Sequence, residues 1–496
     1  MHTLREQLFS TAPPAAAEER MSVQKSPQPG HSRGVRVARI VAAALCGLAA
    51  VLVLCSCFGL GWAVGVAVER TQASSAALQP YGTPEDVQRA LREAFLAVGG
   101  MRDTGANAAY IPILVNWEAT TGQLSGGNFS VGAALLRPEG GLSDFYEGAV
   151  NFRVSMQSVS KPITLGAVCG AKAALMGSAA AAADALRARM GIEGDFLPFN
   201  SAAAVDMAIS AGQPATINPY DNAGAIADAS QFAPPAAVAG DPDDLAGSIF
   251  ARIAAAQRAA MAADADDGPS AEMVPLKGGA GGSVQLPQVP PGSGEDNHTD
   301  EALSVRTYFS EAQTYAGNLA LALKVAEFGC FSPSFCGPLN ASAQPAECAG
   351  SGGLHNPACP TCAVDPNAVR AVLDAYTAAC STIVEIRHLL ALAATLANGG
   401  INPHTGERAW PRTCNHLVVS SMVMGGFYDG SGAWFFEVGL PGKSGVGGGI
   451  IAVAPGIGAF ASISTPLDSD GNSVKGRQAA TEFIQRVPRW NAASGA

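Results

Sequence analysis

Two short motifs in this chain combine residue types able to cleave an amide or ester bond. The first is Ser158-Val-Ser-Lys161. It follows the alternating stretch Phe152-Arg-Val-Ser-Met-Gln and precedes Pro162-Ile-Thr-Leu-Gly-Ala-Val, which reads as helix. On a helical first turn, positions i and i+3 are neighbours, so hydroxyl and amine share a face. A lysine enclosed by apolar walls or other cations loses its proton readily. It can then act as base toward the serine hydroxyl, while N–H groups at the helix start stabilise an oxyanion. The second motif, Lys443-Ser-Gly445, stands just before Val446-Gly-Gly-Gly-Ile-Ile-Ala-Val. Alone, the first motif is weak, because the N-terminal tail holds another copy, Ser22-Val-Gln-Lys25, in a segment with no folding pattern.

The elements that must position these residues are bounded by length and composition. The chain has 496 residues, 30 Lys and Arg against 41 Asp and Glu, and a net charge of −11. An acidic balance argues against nucleic acid as a partner. Only 14% of residues are charged and 48% are apolar, enough for a large core and compatible with a membrane segment. Ile40 to Val68 is a run of 29 residues without a charge, bounded by Arg39 and Glu69. A spanning helix needs about 20, and the run is too long and starts too late for a signal peptide. Residues 39–69 are therefore expected to form one transmembrane helix, with an organelle-targeting segment as the alternative. Lys25, Arg33, Arg36 and Arg39 precede the run and Arg70 alone follows closely. The N-terminus is then expected in the cytoplasm and the body in the lumen or outside the cell. Three glycosylation triplets, at Asn128, Asn297 and Asn340, agree with that topology without proving it.

Residues 1–38 read as a disordered tail and 70–85 as a linker. Thr83-Pro-Glu-Asp opens a helical pattern, with Thr as N-cap and Pro at the first helical position. A body of residues 86–490 follows, interrupted twice. Residues 261–301 carry eight carboxylates against Lys277, a net charge of −7, and read as a disordered acidic loop. Residues 330–364 hold Cys330, Cys336, Cys348, Cys359 and Cys362. In a luminal segment one or two disulfides are the favoured reading. Cys359-Pro-Thr-Cys362 has a zinc-like spacing but lacks a second matching pair, and one thiol is left to stay free or to pair with Cys380. Cys169 reads as a core residue of an Ala-rich helix, and Cys414 has no neighbouring base. The histidines show no ligand spacing, His388 lying in a helical run and His404 in a turn. No metal and no cofactor is expected.

An early S-x-x-K with a late K-[ST]-G is the order of serine β-lactamases and penicillin-binding proteins. Longer motifs narrow this further. Tyr110-Ile-Pro, Gln157-Ser-Val-Ser-Lys161, Gly194-Asp-Phe-Leu-Pro-Phe-Asn-Ser201 and Asn218-Pro-Tyr-Asp-Asn-Ala-Gly-Ala-Ile226 occur in order. They are followed by Ser310-Glu311 with Asn318, Tyr376-Thr-Ala-Ala-Cys-Ser381, Ala394 to Glu407, Tyr428-Asp-Gly-Ser-Gly432 and Val438 to Gly449. This series resembles the serine-dependent glutaminases over residues 86–490, less the two insertions. The resemblance implies a mixed α/β (α+β) body, a mainly antiparallel sheet flanked by helices with a helical subdomain, of the serine β-lactamase-like fold. It implies that Ser158 attacks the side-chain carboxamide of L-glutamine, Lys161 takes the serine proton and Tyr428 relays a proton to departing ammonia. Ser158 and Val446 would supply oxyanion N–H groups. Tyr110, Asn222, Asn318 and Tyr376 would hold the amino-acid end of the substrate, and Glu311 would pair with its ammonium.

The chain departs from the family at Ala316-Gly317, where Asp-Arg is usual, at Asp221, where an apolar residue is usual, and at Met424-Gly-Gly-Phe427, where C-G-M is usual. Family members are commonly homo-oligomers, so a dimer or tetramer is expected. A β-lactamase or D,D-peptidase relative is the rival enzyme reading, but it lacks an S-D-N-type middle motif. A degenerate membrane-anchored binding protein is the non-enzyme reading.

Overall fold

The computed structural model describes residues 81–99, 101, 129–138, 140–190, 199–200, 218–233, 242–263, 315–327, 366–464 and 467–491. The tail, the apolar run 39–69, the acidic stretch from 264 onward, the Cys-rich segment 330–364 and the three sequon asparagines lie outside them. Among the described residues no helix is long and apolar enough to cross a membrane.

The centre is a five-stranded sheet. Its strands are β1 (Ser130–Leu136), β2 (Leu142–Gly148), β5 (Gly442–Ser444), β6 (Gly449–Ala454) and β7 (Gly458–Ile463), in the order β2-β1-β7-β6-β5. All its pairings are antiparallel. Between β2 and β5 the chain forms β3 (Val154–Ser155) and β4 (Ile383–Val384), a separate antiparallel pair.

The sequence of β6, GIIAVA, is apolar throughout because both faces are covered; all six residues are buried. Strand alternation sends Ile451 and Val453 into one core and Ile450, Ala452 and Ala454 into the other. The second core is closed by α1 (Pro84–Gly99) and by α11 (Val474–Arg486), near the C-terminus. Val87, Ala90, Leu91, Ala94 and Val98 form the buried stripe of α1, a helical period that meets Phe483 and Ile484 of α11. Thr83 caps α1 as expected: its Oγ1 accepts from the Asp86 N–H at 3.1 Å, and its own N–H donates to Asp86 Oδ2 at 3.1 Å.

The first core is the larger and mostly helical. It gathers α2 (Lys161–Met176), α3 (Ala179–Met190), α4 (Asn222–Ser230), α5 (Pro242–Met261), α6 (Tyr315–Glu327), α7 (Pro366–Cys380), α8 (Ile386–Ala397) and α9 (Arg412–Gly425). The short α10 (Ser431–Val438) follows α9. A mixed α/β body with an antiparallel sheet and a helical part is thus observed. The acidic insertion begins later than its composition suggests: Met261 ends α5 and is fully buried.

Cys169 and Cys414 require a correction. Both are core residues, but they are bonded to each other, with Cα atoms 5.6 Å apart across 245 residues of chain. Neither neighbourhood carries a pairing signal, since helix packing alone brings them together. Cys380 is buried with its Sγ 3.6 Å from Ser160 Oγ, and the cysteines of the 330–364 segment lie outside the described residues.

Candidate active site

Ser158 lies in a 3-10 turn, Gln157–Ser160, that runs directly into α2, and Lys161 is the first residue of that helix. Gln157 is held at φ +52°, a left-handed conformation uncommon outside glycine. Its side-chain amide donates to Ser155 Oγ at 2.9 Å. The turn is further fixed by the Met156 N–H, which donates to Thr382 O at 2.8 Å. As the second residue of a helical turn, Ser158 has an N–H with no acceptor inside the turn. Lys161 is 1% exposed.

The Lys161 ammonium donates to the Tyr220 carbonyl and to Asn222 Oδ1, each at 2.7 Å, and lies 5.1 Å from the Phe199 ring centroid. Asn222 opens α4, and its backbone N–H donates to Asn200 Oδ1 at 2.8 Å. Asn222 Oδ1 also accepts from the Tyr376 hydroxyl at 3.0 Å, while Nδ2 donates to Asn318 Oδ1 at 2.9 Å. Four residues named from sequence, Lys161, Asn222, Asn318 and Tyr376, therefore meet in one polar cluster, though they come from four helices. Tyr110 and Glu311 lie outside the described residues.

The Lys443-Ser-Gly445 motif reaches the same place from the sheet. A tight turn links β5 to β6, with the Gly448 N–H donating to Gly445 O at 2.9 Å. Val446 is the second residue of this turn, so its N–H takes no part in the closing bond. The turn rests on the segment that carries Ser158: a Cβ on Gly445 would stand 2.8 Å from Met156 O and 3.2 Å from Val159 Cγ2. Only glycine permits that approach.

Lys443 itself was recognised as part of a motif but not as a site residue. It is fully buried. Its Nζ donates to Gly426 O at 3.0 Å and Ser444 O at 2.6 Å, and sits 4.4 Å from the Tyr428 ring centroid. Burial first, and the positive charge of Lys161 second, hold its pKa well below that of an ordinary lysine; Cys380 and Asp221 offset part of this. Tyr428 has φ +57°, and its hydroxyl donates to Ser444 O at 3.3 Å. Tyr220 occupies a variable position of the N-P-x-x-N motif, where residue type alone gives no sign of a role. Its hydroxyl donates to Val418 O at 2.7 Å, and burial raises its pKa.

A hydroxyl at a helix start, a lysine at i+3, two turns whose second N–H has no partner within the turn and an amide-rich cluster form a site suited to acyl transfer on a small polar substrate. Comparison with known proteins agrees. A model of the glutaminase family, described as Glutaminase, matches residues 362–490. Glutaminase 2 of Yersinia pestis is 48% identical over 113 residues, 23% of this chain and 33% of that protein. Glutaminase 1 of Escherichia coli K12 is 46% identical over 114 residues, 23% of this chain and 37% of that protein. The matched stretch thus spans about a third of the length of these curated relatives. A solved probable glutaminase shares 27% identity at a TM-score of 0.55, covering 82% of this chain and 97% of its own. Residues 362–490 thus match the glutaminase family model, and the chain shares its fold with a solved probable glutaminase.

Proposed function

We propose that this protein is a glutaminase that hydrolyses L-glutamine to L-glutamate and ammonia through an acyl-enzyme. The observation that carries the reading is the cluster of Lys161, Asn222, Asn318 and Tyr376 at the start of the helix that follows Ser158.

Ser158 is the nucleophile. Lys161 is the base; its hydrogen bonds to Tyr220 O and Asn222 Oδ1 fix where the amine stands, one helical turn from the serine whose proton it takes. As the carboxamide is attacked, the N–H groups of Ser158 and Val446 receive the oxyanion. Tyr428, fixed by its backbone conformation and by Lys443 beneath its ring, delivers a proton to departing ammonia. Water then releases glutamate. Asn222, Asn318 and Tyr376 offer paired donors and acceptors to the amino-acid end, with Tyr110 and Glu311 assigned beside them by resemblance. A site built from such polar groups rejects analogues that leave them unpaired.

The protein is further proposed to be anchored by residues 39–69, with its body on the luminal or extracellular side. The Cys169–Cys414 disulfide supports an oxidising compartment. A homo-oligomer is proposed by resemblance alone.

The test is ammonia release from glutamine by wild type and Ser158→Ala. Activity in wild type that falls by roughly 10³-fold or more in the variant is expected. Hydrolysis of a β-lactam or D-Ala-D-Ala peptide instead would favour the peptidase reading. A folded wild type inert to all three substrates would leave the binding-protein reading.

A further inference from the structure

The mechanism above gives no part to Cys169, Cys414 or the Tyr220 side chain, yet these three complete a closed circuit around Lys161. Cys169 lies in the third turn of α2 and Cys414 in the first turn of α9, and the disulfide joins the two helices. One turn along α9, the Val418 carbonyl accepts the Tyr220 hydroxyl at 2.7 Å. The Tyr220 carbonyl accepts from Lys161 Nζ at 2.7 Å. Lys161 begins α2, the helix from which the circuit started. Tyr220, Val418, Cys169 and Cys414 are fully buried and Lys161 nearly so.

In such a ring no member moves alone. If α9 slides or tilts against α2, Val418 O moves, Tyr220 follows its acceptor, and the carbonyl that aims the Lys161 ammonium goes with it. Helix packing is a set of discrete arrangements rather than a continuum, so the covalent bond selects one of them. Reduction removes this covalent tie, so the two helices are no longer held in one arrangement at this point.

We propose that the Cys169–Cys414 disulfide and Tyr220 are positioning elements for Lys161, so that alignment of the base depends on the oxidation state of the protein. This rests on Lys161 being the base. The redox step is an ordinary exchange: a dithiol reductant gives two electrons and two protons, becomes a disulfide, and leaves two cysteine thiols. The reverse exchange, with a disulfide-bearing oxidant, forms the bond in an oxidising compartment.

The experiment uses the full chain as wild type, C169A/C414A, Y220F and the triple variant. Peptide mapping without reductant is expected to recover Cys169 bonded to Cys414. Y220F and C169A/C414A are each expected to lower kcat about 3–10-fold with KM within about twofold. The acid limb of the pH profile is expected to move to lower pH, because a misplaced acceptor no longer favours the charged lysine. The triple variant is expected to be no worse than its worse parent, since both changes open one ring. Free thiols at both positions, variants that lower only the melting temperature, or losses that multiply independently would overturn the proposal. Y220F removes only the hydroxyl link to Val418 O and keeps the aromatic side chain, so it reports even where the cysteine variant folds poorly. The pH dependence of Lys161 acylation by an amine-reactive reagent reads the same alignment without turnover. An inert wild type would therefore sink the glutaminase reading while leaving this one tested: lysine reactivity unchanged across the four proteins would sink the ring.

Discussion

The hydrogen bonds that hold Lys443 go to backbone alone, whereas those that hold Lys161 go to one backbone carbonyl and one side chain. The Lys443 ammonium donates to two main-chain carbonyls, those of Gly426 and Ser444. Two of the segments around it meet main chain to main chain at Gly426 and Gly442. A Cβ on Gly426 would stand 1.8 Å from Gly442 O. The Lys161 ammonium instead shares Asn222 Oδ1 with Tyr376, and Asn222 is tied to Asn318. The C-terminal region therefore builds a stiff frame from strand, turn and glycine. The helical region builds an adaptable polar cluster from residues that each make several bonds. A frame of close backbone contacts tolerates almost no substitution. A cluster of side chains on four helices leaves the intervening sequence free to vary.

The contrast can be broken most severely at Gly426. Gly426→Ala is expected to cost more than about 4 kcal/mol, because the new methyl group meets backbone that cannot yield. Urea denaturation, or failure to recover folded protein, measures it. A variant within 1 kcal/mol of wild type would show that the frame is softer than its contacts imply.

On the helical side, Asn222→Ala removes one acceptor from two donors and one donor from Asn318. It is expected to lower kcat/KM by roughly 10²-fold while the fold survives. Steady-state kinetics with glutamine, beside circular dichroism, separates the two effects. A variant that unfolds would make Asn222 part of the frame instead.

The third test concerns charge. The folded-state pKa of Lys443 is lowered, so between that value and the ordinary lysine value the unfolded chain binds a proton that the folded chain does not. Stability from this group therefore rises with pH across that window, with a slope of at most about 1.4 kcal/mol per pH unit. Lys443→Met, which keeps an apolar stem, is expected to flatten that rise. Urea midpoints measured across the alkaline range for both proteins give the comparison, and parallel curves would count against it.

The smallest effect is expected at Gly317, the helical side's opposite of Gly426. It lies in α6 beside Asn318, and a Cβ there would meet nothing within 4 Å. Gly317→Ala is expected to stabilise by up to about 1 kcal/mol through helix propensity, with activity unchanged. Loss of activity would mean that the departure from Asp-Arg at 316–317 serves the pocket rather than being neutral.

Much of the site was legible because its residues fall in short motifs with fixed local geometry. Ser158 and Lys161 share one turn, so spacing alone puts them on one face. The Thr83 cap and the apolar stripe of α1 follow the same local rules. Val446 and Tyr428 are named only through resemblance, yet both lie beside β5, on the side of the sheet that meets the turn carrying Ser158. Tyr220 and Lys443 were missed as site residues for different reasons. Lys443 stands inside a short motif, but its enclosure by Gly426, Ser444 and Tyr428 is a matter of packing. Tyr220 acts through a carbonyl that every residue possesses, so its identity announces only the hydroxyl, whose partner is about 200 residues away. The apolar run 39–69, the acidic stretch from 264 onward, Tyr110 and Glu311 lie outside the described residues.

The sequence by itself determined the local elements: a capped amphipathic helix, apolar strands, a serine and a lysine one turn apart, and a lysine before a glycine-rich hairpin. Those follow from propensity, periodicity and spacing, which act over a few residues. Only the tertiary structure decided that Cys169 meets Cys414, that Asn222, Asn318 and Tyr376 converge on Lys161, and that Lys443 is buried close enough to Lys161 to feel its charge. Each of these joins residues distant along the chain. Their meeting depends on how two cores close around one sheet, and no local pattern encodes that.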